Sequence, residues 1–438
     1  MPTHADLLKQ FYDLLMESQY WSPQQMRTYQ ERQLGHLLRH ARANSPFYAN
    51  RLDKVFRPDG SIDFSRWREI PIVKRQNLVN HRESMLASNV PPHHGLSADY
   101  ETSGSTGVPI KVRSNGIATV AGRASEYRAF SWHQLDFSEN VCRIVNDPAV
   151  ARWPEGKHGG PWGPPWAYGT SAGRTASISM YDSYEQMLEF IERSEARYLI
   201  TGSTTAYALA LEAERLNVDL TLDKLFTTGS TPTPPELDAI TRVFGAELLQ
   251  RYASKEANAI GHSCPTSDRF HVHAENILVE VLRPDGEPCD VGETGVIVVT
   301  PFLSTHQPLI RYEQGDLVTV GEPCSCGRTL PVLAAVEGRL SHVFRFPDGT
   351  TTYRRLPEFL RTDLGAGLWQ IAQVEPLRIE LRYEATNDAS AAKEAAVIEF
   401  MRSLYPSNVE LAIRRVEKVP VTAAGKLIEY SYEVGSDV

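Results

Sequence analysis

Residues 183–252 read SYEQMLEFIERSEARYLITGSTTAYALALEAERLNVDLTLDKLFTTGSTPTPPELDAITRVFGAELLQRY. Ser183 followed three residues later by Gln186 is a capping box opening a helix around Met187, Leu188 and Ile191. The short apolar run Tyr198–Thr201 reads as a strand, and the spacing predicts a helix over Ala206–Leu216. A second strand at Lys224–Thr227 leads to Thr233-Pro234-Pro235-Glu236, again a capping box, with proline suited to the first helical turn. Glu247–Tyr252 closes the series as a third strand. Strand and helix alternate, which predicts an α/β region with parallel pairing and right-handed crossovers.

Outward from this centre the pattern changes. Leu7, Leu8, Phe11, Leu14 and Leu15 recur at three- and four-residue spacing, so the first 85 residues read as helical, with Ser22-Pro23 opening a second helix. Beyond residue 270 the chain turns to strands and tight turns, with Ile277–Leu282 and Gly295–Thr300 flanking Pro284-Asp285-Gly286. From about Arg339 a separate α+β unit is expected: a hairpin at Asp348-Gly349, helices at Leu356–Leu360 and Ala391–Leu404, strands near Ile379–Tyr383 and Val409–Arg415. Between Pro148 and Gly173, Trp153, Trp162, Trp166 and Tyr168 crowd together. They form either a surface loop pinned by its aromatics or the wall of an aromatic-lined pocket.

Composition narrows the class. In 438 residues, 45 Lys and Arg stand against 54 Asp and Glu, a net charge of −9, so a nucleic-acid partner is not expected. No apolar run approaches the roughly 20 residues of a membrane span, and the stretch MPTHADLLKQ has no basic run followed by an apolar one, so a signal peptide is not expected. Five cysteines, an odd number, predict reduced thiols and a cytoplasmic protein rather than a disulfide framework. Cys324-Ser325-Cys326 offers two thiolates in a turn, and Cys264 is followed by His271. Three sulfurs and one imidazole make a closed tetrahedral set suited to structural Zn²⁺. His262, His273 or Cys289 remain alternatives for the fourth ligand, and Cys142 reads as core.

The segment Thr102-Ser103-Gly104-Ser105-Thr106-Gly107-Val108-Pro109 concentrates hydroxyls and glycines, a backbone able to approach a phosphate closely. It lacks the Gly-Lys-Ser/Thr ending of a Walker loop. Further on come Gly229-Ser230-Thr231-Pro232, Tyr252-Ala253-Ser254-Lys255-Glu256, Arg311-Tyr312-Glu313-Gln314-Gly315-Asp316-Leu317, Gly338-Arg339 and Ala424-Gly425-Lys426-Leu427. This ordered series, with LLRHARANSPFYANRL and IPIVKRQNL near the start, resembles the adenylate-forming ligases over roughly residues 30 to 430. The resemblance is to the phenylacetate–CoA ligase branch with its coenzyme F390 synthetase-like relatives.

The resemblance implies a large, multi-subdomain N-terminal α/β domain over residues 1–338. A small, mobile α+β C-terminal domain would follow over 339–438. It implies that Thr102, Ser103, Gly104, Ser105, Thr106 and Gly107 hold the ATP phosphates. Gly229, Ser230, Thr231 and Pro232 would line the adenine side, with Tyr252 packing on the base and Ala253 and Ser254 also in the nucleotide site. Asp316 and Arg339 would meet the ribose. Glu256 would hold Mg²⁺, and Lys426 would reach the reacting oxygens during adenylation. The branch also carries Cys…His…Cys-x-Cys at the positions of Cys264, His271, Cys324 and Cys326, which implies zinc there.

Three departures qualify the acceptor. Lys255 stands where the branch has threonine, His342 stands where the hinge acid is expected, and Phe346-Pro347-Asp348-Gly349-Thr350 replaces a glycine-rich stretch tied to thioester formation. The expected activity is therefore ATP-dependent conversion of a carboxylic acid, probed first among aryl acids, to an acyl-adenylate, followed by transfer to CoA. Transfer to an amine, another nitrogen nucleophile or a carrier-protein thiol is the alternative, and a non-catalytic ATP-binding protein is the second. The expected ligands are ATP, Mg²⁺, Zn²⁺, CoA and a small aryl acid. Neither nucleic acid nor membrane is expected, and a homodimer is left open.

Overall fold

The computed structural model describes residues 3–101, 110–147, 150–167, 172–229, 231–232, 234–340, 343–352, 364, 366–385, 391–420 and 430–434. These divide into two compact units. The first takes its described residues from 3–101, 111–314 and 318–336, and the second from 110, 315–317 and 337–434.

In the first unit, helices α1 (His4–Ser18), α2 (Pro23–Asn44) and α3 (Arg75–Met85) come before any strand. Ser22 caps α2 and Gln25 returns the bond, with Pro23 in the first turn as the sequence predicts. A small hairpin follows, β1 (Ser97–Glu101) against β2 (Lys111–Asn115), and then helix α4 (Gly116–Trp132). Asn115 caps α4 by accepting from the Ala118 N–H at 2.9 Å.

The alternating stretch forms the parallel heart of a large sheet. Strands β3 (Asn140–Val145), β4 (Lys157–Pro161), β5 (Arg174–Ser179), β6 (Ala196–Gly202), β7 (Lys224–Thr228) and β8 (Glu247–Ser254) alternate with helices α5 (Tyr184–Arg193), α6 (Ser203–Leu216) and α7 (Pro234–Phe244). Their spatial order is β4-β5-β3-β6-β7-β8, and all except the edge strand β4 run parallel. Chain order reverses beside β3, which has β5 on one side and β6 on the other. In open α/β sheets, ligands bind outside the carboxyl ends of the strands near such a reversal.

The sheet continues through β9 (Asn258–Cys264), β10 (Ser267–Val272), β11 (Ile277–Leu282), β12 (Thr294–Pro301), β13 (Tyr312–Val320) and β14 (Val332–Arg339), twelve strands among the described residues, with β8–β9, β9–β10, β10–β14 and β11–β12 paired antiparallel. Leu8 and Leu15 of α1 pack with Val120, Ala124 and Tyr127 of α4 and with Tyr198, Phe226 and Leu249 of the parallel strands. Burying Leu15 completely stabilises the unit by about 2 kcal/mol relative to leaving it in water.

In the second unit, β17 (Ala366–Glu375) pairs antiparallel with β18 (Arg378–Ala385). Strand β19 (Glu410–Arg415) runs parallel to β18, and β20 (Tyr430–Tyr432) parallel to β17. Helix α8 (Ala391–Arg402) contributes Val397 and Met401 to a core with Ile371, Ile379, Leu381 and Tyr383. A short hairpin, β15 (Phe344–Arg345) with β16 (Thr351–Thr352), turns at Asp348-Gly349 as expected. The helix expected at Leu356–Leu360 lies outside the described residues.

Candidate active site

Two of the quoted motifs stand where parallel strands end. Gly229 directly follows β7 with φ +98°, a conformation that favours glycine. Thr231, two residues on, donates its hydroxyl to the Val336 carbonyl at 3.2 Å. Tyr252 lies near the end of β8 and is buried. Beyond it the chain reverses within a tight turn into β9, where Ser254 Oγ accepts from the Ala257 N–H at 2.9 Å and Asn258 takes φ +57°. That turn carries Lys255 and Glu256. The Lys255 ammonium sits over the Tyr100 ring, 5.5 Å from its centroid, joining the turn to strand β1.

The Glu256 carboxylate accepts a hydrogen bond from the Tyr312 phenol at 3.3 Å. Two motifs more than fifty residues apart thereby meet. Tyr312 is the first residue of β13, and Asp316 lies further along that strand. Asp316 is mostly buried and pairs with Arg339, whose Nε stands 3.0 Å from Oδ1. Among the described residues no lysine or arginine pairs with Glu256. A half-buried carboxylate with one oxygen held by a phenol and no counter-cation fits a hard divalent ion such as Mg²⁺.

Sequence reasoning assigned no role to Arg311, although it opens one of the quoted motifs. Its guanidinium is buried, bonded to both Glu280 oxygens at 3.0 and 3.2 Å and to the Arg68 and Ile70 carbonyls at 2.8 Å each. Its backbone is left-handed at φ +53°. The expected phosphate loop Thr102–Gly107, together with Ser230, His342 and Lys426, lies outside the described residues.

The cysteine cluster assembles from two strands, β9 and β10, and the turn after β13. The donor atoms of Cys264, His271, Cys324 and Cys326 all lie within 4.8 Å of one another. Cys264 Sγ is 3.7 Å from Cys324 Sγ, and Cys326 Sγ is 3.2 Å from His271 Nε2. The edge of a tetrahedral Zn–thiolate site is about 3.8 Å, from Zn–S bonds of about 2.3 Å, so the donor set fits zinc. Burial works against the Cys324 thiolate. The backbone N–H and thiol of Cys326, with Ser267 and Cys264, nonetheless bring its pKa down to about 7. Burial, with Arg328 and Arg128 nearby, lowers His271 to about 4, leaving it in the neutral form that binds metal.

His262 and His273, open as alternatives from the sequence, belong to another network. Arg128 is fully buried and donates to Glu275 at 2.6 Å and to His273 Nδ1 at 2.7 Å. Because an arginine only donates, His273 must carry its proton on Nε2, which then donates to His262 Nδ1 at 2.7 Å. Ser18 and the Leu15 carbonyl of α1 close the network on Glu275 and Arg128. Nothing in the sequence set this arginine apart from those on the surface.

The aromatic stretch resolves largely into packing. Trp162 is buried against Phe130, Phe137 and Tyr198, and Trp166 meets Tyr12 and Tyr127. These two rings brace α1 and α4. Tyr168 lies outside the described residues.

No protein-family model matches the chain. The chain is 24% identical over 400 residues to the phenylacetate-coenzyme A ligase of Thermus thermophilus, an alignment covering 87% of this chain and 84% of that protein. Its fold is similar to crystal structures of 2-hydroxyisobutyryl-CoA ligase. In the postadenylation state with 2-HIB-AMP, the TM-score is 0.66 at 18% identity, covering 94% of this chain and 92% of that one. In the thioesterification state with 2-HIB-AMP and CoA, it is 0.62 at 18% identity, covering 96% and 93%.

Proposed function

We propose that this chain, an adenylate-forming ligase resembling the phenylacetate–CoA ligase branch, activates a carboxylic acid with ATP and passes the acyl group to CoA. The observation that carries the reading is the hydrogen bond between Glu256 and Tyr312. It joins the turn after β8 to the strand bearing Asp316. Tyr312 and Glu256, from two separately quoted motifs, thereby meet within the first unit.

In the first step the substrate carboxylate attacks the α-phosphorus of ATP, and pyrophosphate leaves. Asp316, held by Arg339, accepts from the ribose hydroxyls, and Tyr252 offers a ring to the adenine. Mg²⁺, held by Glu256 and phosphate oxygens, would offset the charge on the triphosphate. Lys426 would supply positive charge where it develops in the transition state. In the second step the CoA thiol displaces AMP. Zn²⁺ in the cysteine cluster would be structural, since four protein donors close its coordination.

A nitrogen nucleophile is the second reading of the acceptor. It is favoured by Phe346, which is buried in the core of the second unit where the resembled branch has a glycine-rich stretch. The aryl nature of the acid rests on the Trp and Tyr residues between Pro148 and Gly173, so the test panel includes short aliphatic and hydroxy acids.

Carboxylate-dependent exchange of labelled pyrophosphate into ATP tests adenylation, and no exchange with any acid would reject it. Replacing Lys426→Ala should reduce that exchange by at least about a hundredfold, within the range of one lost transition-state contact. Attack of CoA on supplied acyl-adenylate should survive the change. Equal loss of both steps would remove the role given to Lys426. Mass detection of products from CoA, hydroxylamine and simple amines then separates the acceptors.

A further inference from the structure

The backbone at Arg311, next to the tyrosine that meets Glu256, is left-handed. A non-glycine residue at φ +53° is uncommon and costs on the order of 1 kcal/mol or more unless its surroundings impose it. Here they do. The Arg311 N–H donates to Thr300 Oγ1 at 2.9 Å, and its carbonyl accepts from Val73 at 2.8 Å. Its guanidinium spans Glu280 and two carbonyls of the segment before Val73. Main chain and side chain are thus fixed from opposite sides, within one unit of the protein.

The bend has a consequence for the next residue. Tyr312 pairs with Val73 through a parallel bridge and is 1% exposed, so its ring has little freedom. Its hydroxyl is held where the Glu256 carboxylate lies.

We propose that Tyr312 is a positioning residue for Glu256, and that the clamped, left-handed Arg311 is what aims it. This rests on the assignment of Glu256 as the carboxylate that meets magnesium. Tyr312 itself touches neither nucleotide nor acid in this scheme. It fixes which carboxylate oxygen stays free for the ion, as outer partners of metal ligands commonly do.

The test uses the full-length protein with Tyr312→Phe, Glu256→Gln and the double variant. Two readouts are needed: Mn²⁺ binding in the presence of ATP, followed by electron paramagnetic resonance, and the Mg²⁺ dependence of pyrophosphate exchange. Tyr312→Phe should weaken Mn²⁺ binding and raise the Mg²⁺ needed for half-maximal exchange by about tenfold, the usual range for loss of an outer partner. The KM for the acid at saturating Mg²⁺ should change less than twofold. On the Glu256→Gln background the same tyrosine change should add nothing, because its effect passes through that carboxylate.

Thr300→Val removes one bond of the clamp without touching either partner, and it should shift the Mg²⁺ requirement in the same direction by a smaller factor. It also serves if Tyr312→Phe fails to fold. Unchanged metal dependence in Tyr312→Phe, or an equal effect with and without Glu256, would overturn the proposal. A wild-type protein that binds Mn²⁺·ATP yet exchanges no pyrophosphate would reject the ligase reading instead, and the binding measurements would still decide this one.

Discussion

The sulfurs of Cys264 and Cys324 lie 3.7 Å apart although 60 residues separate them along the chain. That approach brings the β9–β10 turn against the Cys324–Cys326 turn, and it ties in the end of α1 as well. Trp132 meets the His271 ring edge-on and donates its indole N–H to Gln19 at 2.7 Å, while Thr329 binds the Gln19 and Trp21 carbonyls. The purified protein should carry about one equivalent of Zn²⁺, and chelation should lower the melting temperature by about 5–10 °C, as loss of several kcal/mol would. Hydrogen exchange should rise at residues 264–273 and 324–330 and also at 15–21. Less than half an equivalent of metal, or exchange unchanged by chelation, would count against the zinc assignment.

The Arg128–Glu275 pair is removed from solvent on both sides. Removing one partner leaves a buried charge uncompensated, so Arg128→Met or Glu275→Gln should each cost about 3–5 kcal/mol of stability. Urea unfolding measures this, and a loss under 1 kcal/mol would mean that water reaches the network.

Asp316 is mostly buried and held by Arg339, so its acceptor geometry is set before any ribose arrives. Asp316→Ala should raise the KM for ATP by about ten- to a hundredfold, the equivalent of a charge-assisted hydrogen bond or two. Arg339 is far more exposed, and Arg339→Ala should cost less. Kinetics at saturating acid would reveal a reversal of that order, which would reassign the ribose contact.

His94 is half-buried in the turn leading into β1, with Nδ1 2.7 Å from Thr305 Oγ1. Burial, with His93, His306 and His40 nearby, lowers its pKa from 6.5 to about 4. The folded pKa lies below the unfolded one, so the unfolded chain binds more protons between them. The contribution of His94 is therefore fully present above pH 6.5 and lost as pH falls through about 4. Replacing His94→Gln should flatten the decline in stability across that window. An unaltered slope in denaturation experiments from pH 7 to 4 would show that other groups cause it.

Local patterns were readable wherever a short range of residues fixes the outcome. The capping box of Ser183 with Gln186 and the helix start at Ser22-Pro23 are both present, because a helix start needs only about four consecutive residues. Strands β6, β7 and β8 extend the predicted runs by only one or two residues at either end. Trp162 and Trp166 show the limit. The same composition suits a pocket wall or a packed brace, and only the positions of Phe137, Tyr12 and Tyr127 decide for the brace. Arg311 and Arg128 were illegible for a related reason. A buried, paired arginine and a solvated one are the same letter, and the carboxylates that distinguish them lie 31 and 147 residues away.

By itself the amino-acid order determined the alternation of helix and strand, the helix starts, and the order of the polar motifs along the chain. Hydrophobic period and backbone preference act over a few residues, so they are written locally. Tertiary structure alone decided that Tyr312 faces Glu256, that His262 and His273 belong to the Arg128 network, and that Arg128 is sealed from water. Each of these depends on which distant segments share a dry interior, where an unmade polar contact costs several times what it would in solvent.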